Sequence, residues 1–202
     1  MGAELKCQAR FGKQTSDGKA LLETKELIFR GEFRLKIPFA QMKSVMAVDG
    51  ELRIEFAEGK AAFALGPQAE KWAHKILHPK TRIEKLGIKP GAKVAMIGVF
   101  EKDFEHELEE TTSAVTRGRV AADAELVFFC AESPRALAQS ARIAKSVKDA
   151  TALWIVYPKG RKDITETDVI AAGRAVGLKD VKVVGFSATH TALKFVLPLS
   201  NR

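Results

Sequence analysis

The hydrophobic residues of this chain change their period once, and this change constrains the fold more than any other feature. In the first part, apolar and polar residues alternate in short segments separated by turn signals, such as QTSDGK at 14–19 and VDGE at 48–51. In the segment ELRIEF at 51–56, every second residue is apolar, as in an antiparallel strand with one buried face. Residues 4–65 therefore predict six or seven short antiparallel strands.

An amphipathic helix follows the alternating segments. After Gly66 and Pro67, the segment QAEKWAHKIL carries apolar residues three and four positions apart, so that they share one face of a helix. These residues are Ala69, Trp72, Ala73, Ile76 and Leu77. Strands followed by one such helix resemble the pleckstrin-homology-like barrel, in which the helix plugs one open end. The resemblance implies an α+β first domain, residues 1–79, that docks a protein or lipid partner.

Two continuous apolar runs characterise the second part of the chain. LVFFCA at 126–131 and ALWIVY at 152–157 have the length and composition of strands buried on both faces, and a helical pattern at 134–148 separates them. This alternation predicts an α/β domain, residues 80–202, with a mostly parallel sheet in a three-layer arrangement. The closing residues 182–198 predict an antiparallel pair of strands.

The order of elements in the second part resembles a shortened class I methyltransferase domain, which is Rossmann-like and ends in such a strand pair. Three segments also resemble a bacterial domain-of-unknown-function family with the same fold: KLGIKPG at 85–91, WIVYPKG at 154–160 and SATHTALKF at 187–195. That family has no established activity. The resemblance therefore implies a fold and a bacterial source, but no reaction.

The glycine-rich turn that holds adenosylmethionine in methyltransferases has no counterpart in this sequence. Those enzymes place several glycines after the first strand, because a bare backbone lets the cofactor approach, whereas this chain keeps only Gly98. Phe100 and the carboxylates after it would crowd the cofactor, and the second strand ends in Arg117 instead of an acidic residue. We therefore expect no cofactor and no catalytic residue, and we interpret the domain as a degenerate methyltransferase-like domain.

A basic loop follows the run ALWIVY. Open α/β sheets bind ligands beyond the carboxyl ends of their strands, and the loop 157–162 lies at such an end. Thr165 and Asp168 have the spacing of a capping box, so the next helix would begin close to the basic side chains. The loop either binds an anion or nucleotide or is a solvated turn. The candidate ligand-binding residues are Lys159, Arg161, Lys162, Gly98, Tyr157 and His190.

The cysteines and histidines do not predict a metal site. Cys7 and Cys130 lie in apolar segments and are interpreted as small buried side chains. His74 and His78 have the spacing of a helical metal pair, but the sequence places no third ligand beside them. The acidic stretch 101–110 is interpreted as the solvated face of a helix, although residues 101–112 are few for a helix and a loop.

The net charge and the hydropathy of the sequence limit which partners and which cellular location we expect. The net charge is +8, but the basic residues are spread over both parts of the chain, so no specific nucleic acid partner is expected. The longest apolar runs are far shorter than the roughly 20 residues of a membrane helix, so no membrane span is expected. The N-terminal residues lack a secretory signal, which favours a cytoplasmic location.

Two functions of different classes remain open. The first is a non-catalytic interaction protein, in which the barrel docks a protein partner and the second domain has lost its cofactor site. The second is a small-molecule binder or transferase, for a nucleotide or another anion, that uses the basic loop 157–162. The missing glycine-rich turn favours the first, and the position of Lys159 at a strand end favours the second.

Overall fold

The computed structural model describes residues 3–148 and 151–198. The chain divides into two compact units, Met1–Lys80 and Thr81–Arg202. Each unit has its own sheet, with seven strands in the first and six in the second. In the described part of the chain, no helix is both long enough and apolar enough to cross a membrane.

The first unit consists of seven antiparallel strands followed by one helix. The strands are β1 (Ala3–Phe11), β2 (Gln14–Leu22), β3 (Glu26–Arg30), β4 (Arg34–Pro38), β5 (Met42–Val48), β6 (Glu51–Phe56) and β7 (Gly59–Ala64), and the helix is α1 (Gln68–Leu77). Across the sheet they follow the order β4-β3-β2-β1-β7-β6-β5. Chain neighbours pair within β1–β4 and within β5–β7, and β1 pairs with β7 to join these two halves, so that β4 and β5 lie at opposite edges.

This sheet curls into a half-barrel around one core. Leu35 of β4 and Val45 of β5 come from opposite ends of the sheet, yet both pack into the same hydrophobic cluster. Trp72 of α1 is 1% exposed and belongs to that cluster. Leu52 and Ile54 of β6 are buried in it as well, so the alternation seen in the sequence is confirmed.

Two turn signals in this unit have different outcomes. The hairpin between β5 and β6 turns at Asp49 and Gly50, whose φ angles are 52° and 78°, as expected for a type I′ turn. The turn predicted at 14–19 is wrong, because this segment lies within β2. A Cβ atom on Gly18 would lie 2.6 Å from the ring of Phe29, so the glycine here permits close packing on the neighbouring strand.

The second unit is a six-stranded mixed sheet with helices. The strands are β8 (Val94–Ile97), β9 (Val115–Arg117), β10 (Leu126–Cys130), β11 (Ala152–Pro158), β12 (Lys179–Gly185) and β13 (His190–Val196). The helices are α2 (Arg82–Leu86), α3 (Lys102–Thr111), α4 (Pro134–Leu137), α5 (Ser140–Ala144) and α6 (Glu166–Ala175). The strand order is β12-β13-β11-β10-β8-β9.

The direction of the strands makes this sheet Rossmann-like. The strands β9, β8, β10 and β11 are parallel neighbours, as expected from the two continuous apolar runs. The last strand, β13, lies antiparallel between β11 and β12, which confirms the closing strand pair. Successive residues of β10 face opposite sides: Phe128 packs with Phe104 of α3, and Val127 belongs to a second core with Val169 of α6.

Two helical segments of this unit differ from expectation. The residues between β8 and β9 do form a full helix, α3, because the connection from its end to β9 needs only residues 112–114. The helix expected at 134–148 is instead broken between α4 and α5. Leu137 and Ile143 pack into the same core but would lie about 120° apart on one continuous helix, so the break brings both side chains inward.

Candidate functional site

A pocket of about 320 Å³ opens at the carboxyl edge of the parallel strands in the second unit. It lies where β8 and β10 end and where β13 begins. Ligand sites of open α/β sheets occur at this edge. The surface of the pocket is mostly apolar; its lining residues are Val99, Phe100, Val156 and Phe186, together with Glu101, Cys130, Glu132 and His190. Small-molecule pockets commonly combine such apolar walls with a few polar groups.

Both ring nitrogens of His190 have close partners. Its Nε2 lies 2.7 Å from Glu132 Oε1, and its Nδ1 lies 2.8 Å from Thr189 Oγ1. The Thr189 hydroxyl donates to Glu101 Oε1 at 3.0 Å. The Ser187 hydroxyl accepts a hydrogen bond from the backbone N–H of His190 at 3.0 Å, which fixes the start of β13. The imidazole is thus oriented by the turn before it and by two carboxylates.

Cys130 and Glu132 face His190 from the end of β10. The thiol of Cys130 lies 3.4 Å from Glu132 Oε1, to which it donates. Burial, and then the charge of Glu132, raises the pKa of the Cys130 thiol to about 12. A thiol that stays protonated is a poor nucleophile, because the thiolate is the reactive form. The site therefore holds a cysteine beside a histidine without activating it.

Arg82 supports Glu101 from within the unit. Its guanidinium lies 3.4 Å from Glu101 and makes two hydrogen bonds of 2.9 Å with Glu107. Burial opposes the ionisation of Glu101, but hydrogen bonds from Ser187 and Thr189 and the neighbouring imidazole outweigh it, so its pKa lies below the usual value. Glu101 is therefore held in its charged form beside the pocket.

The Lys159 side chain is bound to the turn that precedes β13. Its Nζ donates to the carbonyl of Ser187, and its backbone N–H donates to the carbonyl of Thr189 at 2.8 Å. These two bonds hold the end of β11 against the segment that positions His190. Lys159 thereby supports the pocket wall, and its binding of an external anion stays a prediction.

Arg161 has partners within the chain as well. Its guanidinium forms an ion pair with Asp163 and donates to the backbone carbonyl of Glu132 at 3.0 Å. Lys162, the third basic residue of the loop, is exposed. The loop thus connects the segments that carry the polar wall of the pocket, and the anion site proposed for it stays a prediction.

Gly98 allows the loop after β8 to pass close to the end of β10. Its φ angle is 98°, a conformation that favours glycine. A Cβ atom at this position would lie 2.9 Å from the carbonyl oxygen of Cys130 and 3.1 Å from its Cβ atom. Packing against Cys130 is therefore a sufficient reason for glycine at this position, without any cofactor.

Tyr157 is 4% exposed, and its hydroxyl lies 3.0 Å from Glu166 Oε2 at the start of α6. Burial, and then the bond to Glu166, raises the pKa of the phenol. We expect Tyr157→Phe to lower the free energy of unfolding by about 1 kcal/mol, because one hydrogen bond is lost while the ring stays packed. Urea denaturation measures this loss. In a Glu166→Ala background, the same change should cost clearly less, because only the hydrogen bond between the hydroxyl and Thr191 remains to be lost; an equal loss there would contradict this role of the bond to Glu166.

Sequence reasoning missed Glu101, Cys130 and Glu132 as members of one site. Glu101 was grouped with a solvated helix face and Cys130 with the buried apolar residues, which is where its side chain does lie. The signal that could have found the two carboxylates is their place just after β8 and β10.

The histidine pair predicted on the first helix lies in the other unit. The rings of His74 and His78 lie 4.7 Å apart on exposed positions at the end of α1.

Comparisons with known proteins give only a loose structural likeness. No family model and no curated protein matches the sequence. A protein of Sulfolobus solfataricus assigned to the type 11 methyltransferases is 11% identical, with 59% of this chain and 91% of that chain covered and a TM-score of 0.44. The magnesium protoporphyrin IX methyltransferase of Synechocystis PCC 6803 is 14% identical, with 55% and 73% covered and a TM-score of 0.37. Likenesses this loose carry no information about the activity of this chain.

Proposed function

We propose that this protein is a non-catalytic binding protein whose second unit, a degenerate methyltransferase-like domain, holds a small ligand in the strand-end pocket. The observation that carries the proposal is the lining of that pocket, which combines a mostly apolar surface with two carboxylates and an imidazole. In the metal-free protein the Cys130 thiol stays protonated, which supports a binding role over nucleophilic catalysis by this residue.

The lining favours a ligand with an apolar body and an amine or hydroxyl group. The buried rings of Phe100 and Phe186 line the pocket and can pack against an apolar body. Glu101 and Glu132 present carboxylate oxygens, which only accept hydrogen bonds when ionised. A ligand that donates hydrogen bonds matches this wall, whereas a phosphate or carboxylate would face like charge.

We propose that the first unit supplies a surface for a protein partner. Strand β5 forms one edge of its sheet, and its outer side exposes Met46 and Val48, at 54% and 36%. A cavity of about 440 Å³ lies beside Met46 and is lined further by Arg10, Arg53 and Lys60, which pair with Glu51 or Glu55 within the unit. Exposed apolar residues on an edge strand suit an extended segment of a partner.

Thermal melting of the metal-free protein, kept in EDTA, tests the ligand proposal. Adenosine and tyramine each combine a flat apolar body with amine and hydroxyl groups, so we expect one or both to raise the melting temperature by a few degrees at millimolar concentration. We expect Glu132→Gln to reduce the shift, because it removes a charged acceptor from the pocket wall. Glu58→Gln, an exposed change in the first unit, is the matched control and should leave the shift intact.

Three outcomes would contradict the proposal. If neither compound shifts the melting temperature, the pocket does not bind ligands of this class. A larger shift with adenosine 5′-monophosphate than with adenosine, lost in a Lys159→Ala, Arg161→Ala double variant, would favour the basic loop as an anion site. A shift with adenosylmethionine that exceeds the shift with adenosine would mean that the cofactor site is intact.

A further inference from the structure

Three side chains of different chemistry converge on the polar wall of the strand-end pocket. The Sγ atom of Cys130, a carboxylate oxygen of Glu132 and a ring nitrogen of His190 all lie within 4.8 Å of one another. Within residues 3–148 and 151–198, this is the one such group of three side chains. Thiolate, carboxylate and imidazole are the three side-chain ligand types that zinc uses in proteins.

The hydrogen bonds around His190 leave its Nε2 free to act as a metal ligand. Because the carboxylate of Glu101 can only accept, the Thr189 hydroxyl donates to it, and His190 Nδ1–H then donates to Thr189 Oγ1. Glu101 Oε1 also lies 3.4 Å from Nδ1. Carboxylate groups commonly orient zinc-binding histidines in this way from the far side of the ring.

This arrangement places two acceptors opposite each other. In the neutral ring with its proton on Nδ1, the lone pair of Nε2 points at Glu132 Oε1, which is 2.7 Å away and also an acceptor. A cation between these two atoms removes their repulsion: a proton does so by forming an imidazolium–carboxylate pair, and a metal ion does so while also reaching the Cys130 sulfur, which lies 3.4 Å from the same carboxylate oxygen. A metal ion bound to all three atoms would satisfy the whole group.

The donor set selects the metal. Calcium and magnesium prefer oxygen ligands alone, whereas a set of sulfur, nitrogen and oxygen suits zinc. We propose that Cys130, Glu132 and His190 bind one Zn²⁺ ion, that Glu101 is a positioning residue for His190, and that the fourth coordination position opens into the strand-end pocket. Zinc sites with three protein ligands and one open position hold water or a ligand there.

This inference deepens the proposed function and rests on it for its role, because an amine or hydroxyl of the pocket ligand would occupy the fourth position. The binding of the metal can be tested separately. Zinc binding without any organic ligand tests the metal site, whereas the melting experiment in EDTA tests the pocket. Failure of one experiment therefore does not decide the other.

The test uses the full chain without an affinity tag, stripped with EDTA and then titrated with ZnCl₂ against a chromophoric chelator. We expect one equivalent of zinc, and with CoCl₂ a near-ultraviolet charge-transfer band from a thiolate ligand. Cys130→Ser should abolish that band and weaken zinc binding at least tenfold, and Glu132→Gln should weaken it at least tenfold. Glu132 is 53% exposed on its side chain, so its variant keeps the fold.

Positioning by Glu101 has its own signature. We expect Glu101→Gln to weaken zinc binding about 10- to 100-fold while the charge-transfer band with cobalt persists, because Cys130 still binds. The control variants are Cys7→Ser and His74→Gln with His78→Gln, which remove the other thiol and the helical histidine pair and should change nothing. Absence of stoichiometric zinc, or zinc binding that Cys130→Ser and Glu132→Gln leave unchanged, would overturn the proposal.

Discussion

Trp72→Ala is expected to lower the free energy of unfolding of the first unit by about 3–5 kcal/mol, the usual cost of truncating a buried tryptophan to alanine. Trp72 is 1% exposed and lies in the single core that the half-barrel encloses. The helix α1 is the last element of the unit. Of the side chains that α1 contributes to this core, the indole is the largest. The loss leaves a cavity that strands on two sides would have to fill.

Urea denaturation followed by far-ultraviolet circular dichroism measures this loss, and Leu77→Ala is the matched control. Leu77 lies on the same helix but is 54% exposed. The apolar pattern placed it in the buried stripe, which is wrong, because it lies about 80° around the helix from Ala69, at the margin of the stripe. Its truncation should change stability by less than about 0.5 kcal/mol. Equal losses in the two variants would refute the core position of Trp72.

The period of the hydrophobic residues predicted most elements of the fold, because the faces that an element buries determine which of its positions are apolar. Strands such as β6 bury one face, so their sequence alternates, whereas β10 and β11 bury both faces and read as continuous apolar runs. Gly18 shows where this reasoning fails. An Asp-Gly pair is a turn signal in local sequence, but its role here is set by the Phe29 ring on the neighbouring strand. A contact between two strands leaves no signal in the local sequence of either strand.

The sequence pointed to the edge of the sheet at which the pocket lies and to His190, but not to the two carboxylates that line the pocket. The rule that ligands bind at the carboxyl ends of strands pointed to this edge and to the basic loop. The polar wall of the pocket contains Glu101, Glu132 and His190, which are far apart in sequence. Antiparallel pairing of β13 with β11 sets His190 opposite Pro158 and so brings the histidine to the same edge. Only strand order and register place these side chains together.

Gly98→Ala is expected to destabilise the second unit by about 2–5 kcal/mol. A left-handed conformation costs an alanine about 1–2 kcal/mol, and the new Cβ atom would overlap the Cys130 carbonyl oxygen, a crowding that costs about 1–3 kcal/mol more. The Cys130 carbonyl oxygen belongs to the backbone, so it cannot rotate away as the end of a flexible side chain can. The end of β10 would therefore have to move, and it carries the polar wall of the pocket.

Gly91→Ala separates the two causes. Gly91 has a φ angle of 76°, but a Cβ atom there would have no described neighbour within 4 Å, so only the conformational cost of about 1–2 kcal/mol applies. Both variants are compared by urea denaturation in a Trp72→Phe background, where Trp154 fluorescence reports the second unit. Equal losses would show that Gly98 is required only for its backbone angle. A larger loss at Gly98 would show that the turn after β8 is shaped by its contact with Cys130, and therefore that Gly98 packs the pocket wall.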